Sequence, residues 1–196
     1  MAMQNAKEEL IVRALLNLAW QTQTGWRKTN FKGLKNKYIQ FALILKGWRL
    51  RIYDLHSTEG HVKSIFATHS ENGLIFDSCF NSDRKMSEQK LLYSILKNIS
   101  LPKLEPFSDL PDVAKPLDHA KFYTDPKNLN ALKFLDTNQT SDKIFTLKNP
   151  NLLETIILNK AGTFPAVAYC QHPTWPKISW GSSSIKGKNL WPHPLA

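Results

Sequence analysis

Apolar residues at Leu10, Ile11, Ala14, Leu15, Leu18 and Ala19 recur at three- and four-residue steps, the spacing of one face of a helix. Asn5 is placed to cap that helix, and the pattern ends near Gln21. Thr24, Gly25, Asn30, Gly33 and Asn36 then punctuate a polar, basic stretch that reads as an exposed loop. From Tyr38 to Leu45, Ile39, Phe41, Leu43 and Leu45 alternate with Tyr38, Gln40, Ala42 and Ile44, which predicts a strand. A second strand follows over Trp48 to Asp54, with Trp48, Leu50 and Ile52 on one side and Arg49, Arg51 and Tyr53 on the other. Turn residues at His56 to Gly60 lead to a third strand over Val62 to Thr68. Asn72 and Gly73 then supply a tight hairpin into a fourth over Leu74 to Phe80.

Ser87 caps a predicted helix whose Leu91, Leu92, Ile95, Leu96 and Ile99 form one stripe, suited to cover a sheet face. Pro102, Pro106, Pro111 and Pro116 exclude regular structure from the connection that follows. Asp125-Pro126 and Asn149-Pro150 each place a capping residue before a proline at a first helical position. They predict helices through Leu129, Leu132 and Leu135 and through Leu152, Leu153, Ile156 and Ile157. A last strand is expected over Phe164 to Cys170, with Pro165 at its start.

The expected fold class is therefore α+β: an antiparallel meander of about four strands flanked by helices, a proline-linked helical segment and an irregular, tryptophan- and proline-rich C-terminal arm. Its parts are a core domain over 1–100, a connection over 101–120, an extension packing on the core over 121–170, and the arm over 171–196.

Composition changes this picture little. The 196 residues are 42% hydrophobic and 21% charged, enough to bury a core without staples and far from the signature of disorder. No apolar run reaches the length of a spanning helix, and the N-terminus has Lys7, Glu8 and Glu9 where a secretory signal would be apolar. Cys79 and Cys170 lack metal-site spacing and read as reduced thiols in a cytoplasmic protein.

Charge changes it more. The formal net charge is +10. No Asp or Glu occurs between Leu10 and Tyr53, where Arg13, Arg27, Lys28, Lys32, Lys35, Lys37, Lys46, Arg49 and Arg51 all fall. None follows Glu154, although Lys160, Lys177, Lys186 and Lys188 do. The intervening segment from Leu101 is nearly neutral. An uncompensated cationic surface attracts polyanions, of which phosphate backbones are the commonest. Trp26, Arg27 and Lys28 with Phe31 and Lys32, and Trp48, Arg49 and Arg51 with Tyr53, combine cations with aromatic rings, the pairing that single-strand binding uses.

Catalytic patterns are weaker. Nucleases of the restriction-endonuclease type share the order of a helix, several antiparallel strands and a second helix, but their Glu-x-Lys is missing here; Asp54, Glu59, Lys63 and Asp77 are the nearby groups. His56, His61 and His69 fall within fourteen residues, and a metal-free ribonuclease could use His56 and His61 with Arg51. Ser182, Ser183 and Ser184 follow Gly181 without completing a nucleophile elbow or phosphate loop.

The sequence favours a binding protein over an enzyme: sequence-independent binding of DNA or RNA through Trp26, Arg27, Lys28, Lys32, Lys35, Lys37, Arg49, Arg51 and Tyr53, in a larger nucleoprotein assembly. Trp175, Trp180 and Trp191 are the candidate protein-partner contacts. The rivals are a nuclease using His56, His61, Asp54 or Asp77, and a structural interaction module built on the tryptophan arm. No cofactor, metal or membrane is expected.

Overall fold

A computed structural model describes residues 2–32, 34–80, 84–101, 116–137, 143–157 and 168–175, with side chains for all of these except 34, 35, 84–86, 116–119 and 157. The chain is α+β. Its sheet runs β1 (Arg27–Thr29), β2 (Arg49–Ser57), β3 (Gly60–His69), β4 (Gly73–Phe80), all antiparallel neighbours in that order. A two-residue β5 (Ile144–Phe145) lies parallel to β2 at Ser57, beyond the end of β1 on the same edge.

Because side chains alternate along a strand, each face of this sheet has its own core. Tyr53, Leu55, Val62, Phe66 and Leu74 point to one side, where α1 (Ala2–Thr22), α4 (Pro116–Thr124) and the 3-10 helix Pro126–Leu132 cover them. Ile52, Ile65, Ala67 and Cys79 point to the other, covered by α2 (Leu34–Leu45) and α3 (Arg84–Ser100). Each large apolar side chain so enclosed contributes about 1.5–3 kcal/mol, which is why the hairpins need cover on both faces.

Trp26 anchors the first layer. Its indole N–H donates to the carbonyl of Ala19 (3.2 Å), and its ring meets Tyr53 and Phe66 edge-on, with centroids 5.9 and 5.5 Å apart. Gly25 (φ +81°) turns the chain into β1 where any Cβ would strike the Phe145 ring.

Three predicted elements take another form. The predicted strand over Tyr38 to Leu45 is the helix α2. Its apolar residues lie on both halves of the helix, so alternation and helical spacing fit the same letters. The fourth strand of the meander is instead the short β1, within the predicted loop. Asp125 does cap a helix, its Oδ1 accepting the Lys127 N–H at 2.9 Å, but the turns are 3-10 up to Leu132, followed by α5 (Phe134–Thr137).

Asn149 adopts a left-handed conformation (φ +55°) with no side-chain cap. Only Pro150–Leu152 is helical, and the chain extends into β6 (Glu154–Ile157), where Thr155, Ile156 and Ile157 are β-branched. Strand β6 pairs with β7 (Ala168–Gln171) in a separate small sheet.

This second sheet docks on α1. Trp175 packs with Ile11, Ala14 and Leu147, and its indole N–H donates to the Lys148 carbonyl at 2.7 Å. His172 stacks on that ring (4.4 Å, 19°); its Nδ1 accepts the Thr174 and Trp175 N–H groups, which leaves Nε2–H to donate to the Asn149 carbonyl at 2.7 Å. The predicted proline connection lies largely outside the described residues, as do most of the arm and Phe164 to Val167 of the last predicted strand.

Candidate nucleic-acid interface

Helix α2 gathers the exposed cations. Lys32 precedes it, Lys37 lies on it and Lys46 follows it; these three side chains are exposed and make no ion pair among the described residues, while the exposed Arg49 stands on the Tyr53 side of β2, the face away from α2. Of Lys35 only the backbone, within α2, is described. Lys28 is exposed on the edge strand β1. Its neighbour Arg27 stands opposite Asp54 while Lys28 stands opposite Tyr53, so these two cations project to opposite faces of the sheet.

The predicted aromatic partners lie elsewhere. Trp26 is 2% exposed and Tyr53 1%, both in the core beneath α1, so neither offers a ring face to a base. Burial also raises the Tyr53 hydroxyl above its usual range. Arg51 is drawn in as well: its Nη1 lies 3.1 Å from Asp136 Oδ1, a carboxylate of the neutral central segment folded back over this cation. The arginine side of β2 is thus a covered face carrying a charge at its margin.

Helix α2 has the aromatic rings that the sequence reading missed. At 100° per residue, Ile39, Leu43, Asn36 and Gln40 occupy its inner half, while Lys37, Tyr38, Phe41, Ala42, Ile44 and Leu45 occupy the outer half. Tyr38 is 72% exposed, Phe41 59%, Ile44 50% and Leu45 72%. Reading the segment as a helix rather than a strand would have placed Tyr38 and Phe41 one turn apart on a single face.

A network under the helices positions α2. Lys63, at 0% exposure, has its Nζ 2.8 Å from Asp54 Oδ1 and 3.7 Å from Glu88 Oε1. The first contact is short but poorly angled, and Lys63 Nζ, Asp54 Oδ1 and the neighbouring Ser64 Oγ each lack a hydrogen bond. Glu88, on α3, accepts the Lys32 backbone N–H at 2.9 Å and the Asn36 side-chain amide at 3.3 Å through its other oxygen. One carboxylate therefore ties α3 to the chain entering α2.

Of the catalytic candidates, the β2–β3 hairpin brings His56 opposite His61, with ring centroids 4.3 Å apart and edge to face. Asp54 stands opposite Lys63 two residues further along the same face. His69 is at the other end of β3, beside Trp48 and Gly47. Asp77, opposite Ile65 on β4, accepts the Ser78 N–H at 2.7 Å. Among the described residues no group of three or more His, Cys, Asp or Glu side chains could hold a metal ion, and no helix is long and apolar enough to cross a membrane.

Cys79 and Cys170 are free and buried in different sheets; burial pushes the Cys79 thiol up to about 11. Trp175, expected to contact a protein partner, is a core residue packed on α1, while Trp180 and Trp191 lie outside the described residues. Comparison with protein-family models, with curated proteins and with solved structures finds no match for this chain.

Proposed function

We propose that this chain binds nucleic acid, independently of sequence, through backbone contacts on the cationic surface around α2, as a cytoplasmic component of a nucleoprotein assembly. The supporting observation is the set Lys32, Lys37 and Lys46, exposed and unpaired among the described residues, on a stretch whose sequence has no acid from Leu10 to Tyr53. Such a surface presents a field of several kT to a phosphate chain. Exposed lysines are mobile point charges, suited to phosphates rather than to reading base edges.

The test is a mobility-shift series with DNA and RNA, single- and double-stranded, comparing the wild type with a Lys32→Glu, Lys37→Glu, Lys46→Glu variant. The proposal expects every ligand to be weakened by about 100-fold or more, since each lost phosphate contact removes roughly 1 kcal/mol. Unchanged affinity in a folded variant contradicts it.

A second reading, cleavage of the bound strand, is favoured by one observation: the pairs His56–His61 and Asp54–Lys63 share one face of a hairpin. Against it, the two imidazoles touch, which leaves no space for a phosphate between a general acid and a general base, and Lys63 is committed to two carboxylates. Strand cleavage that survives chelator and disappears in His61→Ala would establish this second reading.

A further inference from the structure

The outer half of α2 is an anomaly for a free surface. Isolated exposed apolar residues are ordinary, but here Tyr38, Phe41, Ile44 and Leu45 are contiguous and each at least half exposed. A helix with large apolar residues on both halves is normally enclosed on both, and α2 is enclosed on one half only. The face calls for an occupant with its own flat apolar surface, and its cations say which. Lys37 lies on this half beside Phe41 and Ile44, and Lys46 follows at the C-terminal end, so the occupant carries negative charge. A second copy of this chain would set lysine against lysine.

We propose that the outer half of α2 is a stacking platform that makes the chain prefer single-stranded over double-stranded nucleic acid. Unpaired bases lie against Tyr38 and Phe41, and Lys37 and Lys46 hold the flanking phosphates. In a duplex the bases are already stacked on one another, so only the phosphates can reach the helix, and the aromatic contribution is lost. Stacking on an aromatic side chain is worth about 1–3 kcal/mol per base and tolerates any sequence. Leu45 and Ile44 extend the apolar floor but have no ring to stack. This inference rests on the nucleic-acid reading above and adds the strand preference and the residues that set it.

Its test compares the affinities of a fluorescently labelled oligodeoxythymidylate and a labelled duplex of equal length, for the wild type, Tyr38→Ala, Phe41→Ala, Phe41→Trp and Leu45→Ala. Both aromatic side chains are exposed, so the variants should keep the wild-type fold, which circular dichroism verifies. The platform predicts that Tyr38→Ala and Phe41→Ala each weaken the oligothymidylate roughly 5- to 150-fold and leave the duplex within about twofold. Phe41→Trp retains single-strand affinity, and Leu45→Ala changes it less than either aromatic loss. Equal losses on both ligands, or none on either, overturn the platform while salt-sensitive binding leaves the parent reading standing. A wild type that binds neither ligand at low salt overturns both. If phosphatidylserine vesicles bind the wild type and lose it in Phe41→Ala, with oligothymidylate affinity unchanged, the face belongs to a lipid surface and the platform is overturned.

Discussion

Lys63 Nζ lies 2.8 Å from Asp54 Oδ1 across the β2–β3 pair, on a side chain with no exposed surface, and Glu88 is the second carboxylate within reach. Buried ion pairs cost desolvation free energy that their attraction roughly offsets, so the net contribution of this trio is small while the loss of one member is not. Lys63→Met should destabilise the fold by about 3–5 kcal/mol, because it leaves two carboxylates enclosed together. Adding Asp54→Asn and Glu88→Gln should recover much of that loss. Urea unfolding of the single and triple variants measures the difference; equal destabilisation would mean that the three groups do not interact.

Trp26 separates the core role from the contact role. With its indole N–H bonded to Ala19 and its ring against Tyr53 and Phe66, Trp26→Ala should lose about 3–5 kcal/mol of stability. Oligonucleotide affinity of the fraction that remains folded should be unchanged. Thermal melts and binding below the melting temperature distinguish the two; loss of affinity at wild-type stability would return Trp26 to the interface.

Gly73 holds a close approach between the β3–β4 turn and the end of α4. At φ +74° any side chain is strained, and a Cβ would run into the Tyr123 carbonyl oxygen and stand 2.7 Å from the carbonyl of Thr124. Gly73→Ala should therefore cost about 2 kcal/mol or more, well above an ordinary surface substitution. A chemical-denaturation midpoint near wild type would show that the two backbones do not meet there.

The Cys79 thiol ionises near 9 when unfolded and is pushed up to about 11 in the fold by burial. Below the unfolded value both states hold the proton and the thiol has no effect on pH dependence. As pH rises toward the folded value, the unfolded state alone loses the proton and stability falls, by on the order of 2 kcal/mol. Burial raises Tyr53 and Tyr123 too, and they act in the same direction. Comparing urea midpoints at about pH 8 and about pH 11 for the wild type and Cys79→Ala isolates the thiol, since the variant should lose less on alkalinisation. The same burial makes Cys79 slow toward thiol reagents at neutral pH.

The sheet was legible in the sequence where one signal acted alone. Val62 to Thr68 and Leu74 to Phe80 are short apolar-rich runs joined by Asn72-Gly73, and both strands stand where the turn and those runs put them. The side of β2 carrying Trp48, Leu50 and Ile52 is likewise the side that packs under α2 and α3.

Tyr38 to Leu45 misled because its exposed residues are as apolar as its buried ones, so periodicity had no polar face to report. The same surplus hid the candidate interface. An aromatic in a basic loop, Trp26, looked like the stacking residue, yet the long-range contact with Tyr53 and Phe66 that buries it cannot be read from local spacing. The cations themselves were legible in their segment, but not their division by strand parity between Arg27 and Lys28, nor the capture of Arg51 by Asp136 from a segment distant in sequence.

The salt dependence of binding tests the central claim most directly, because each phosphate neutralised releases counterions and fixes the slope of log affinity against log salt. For duplex DNA the wild type should give a slope of about −3, from Lys32, Lys37 and Lys46, and Lys37→Ala should reduce its magnitude by about one. A slope near zero, or one that the Lys37 substitution leaves unchanged, would contradict the account.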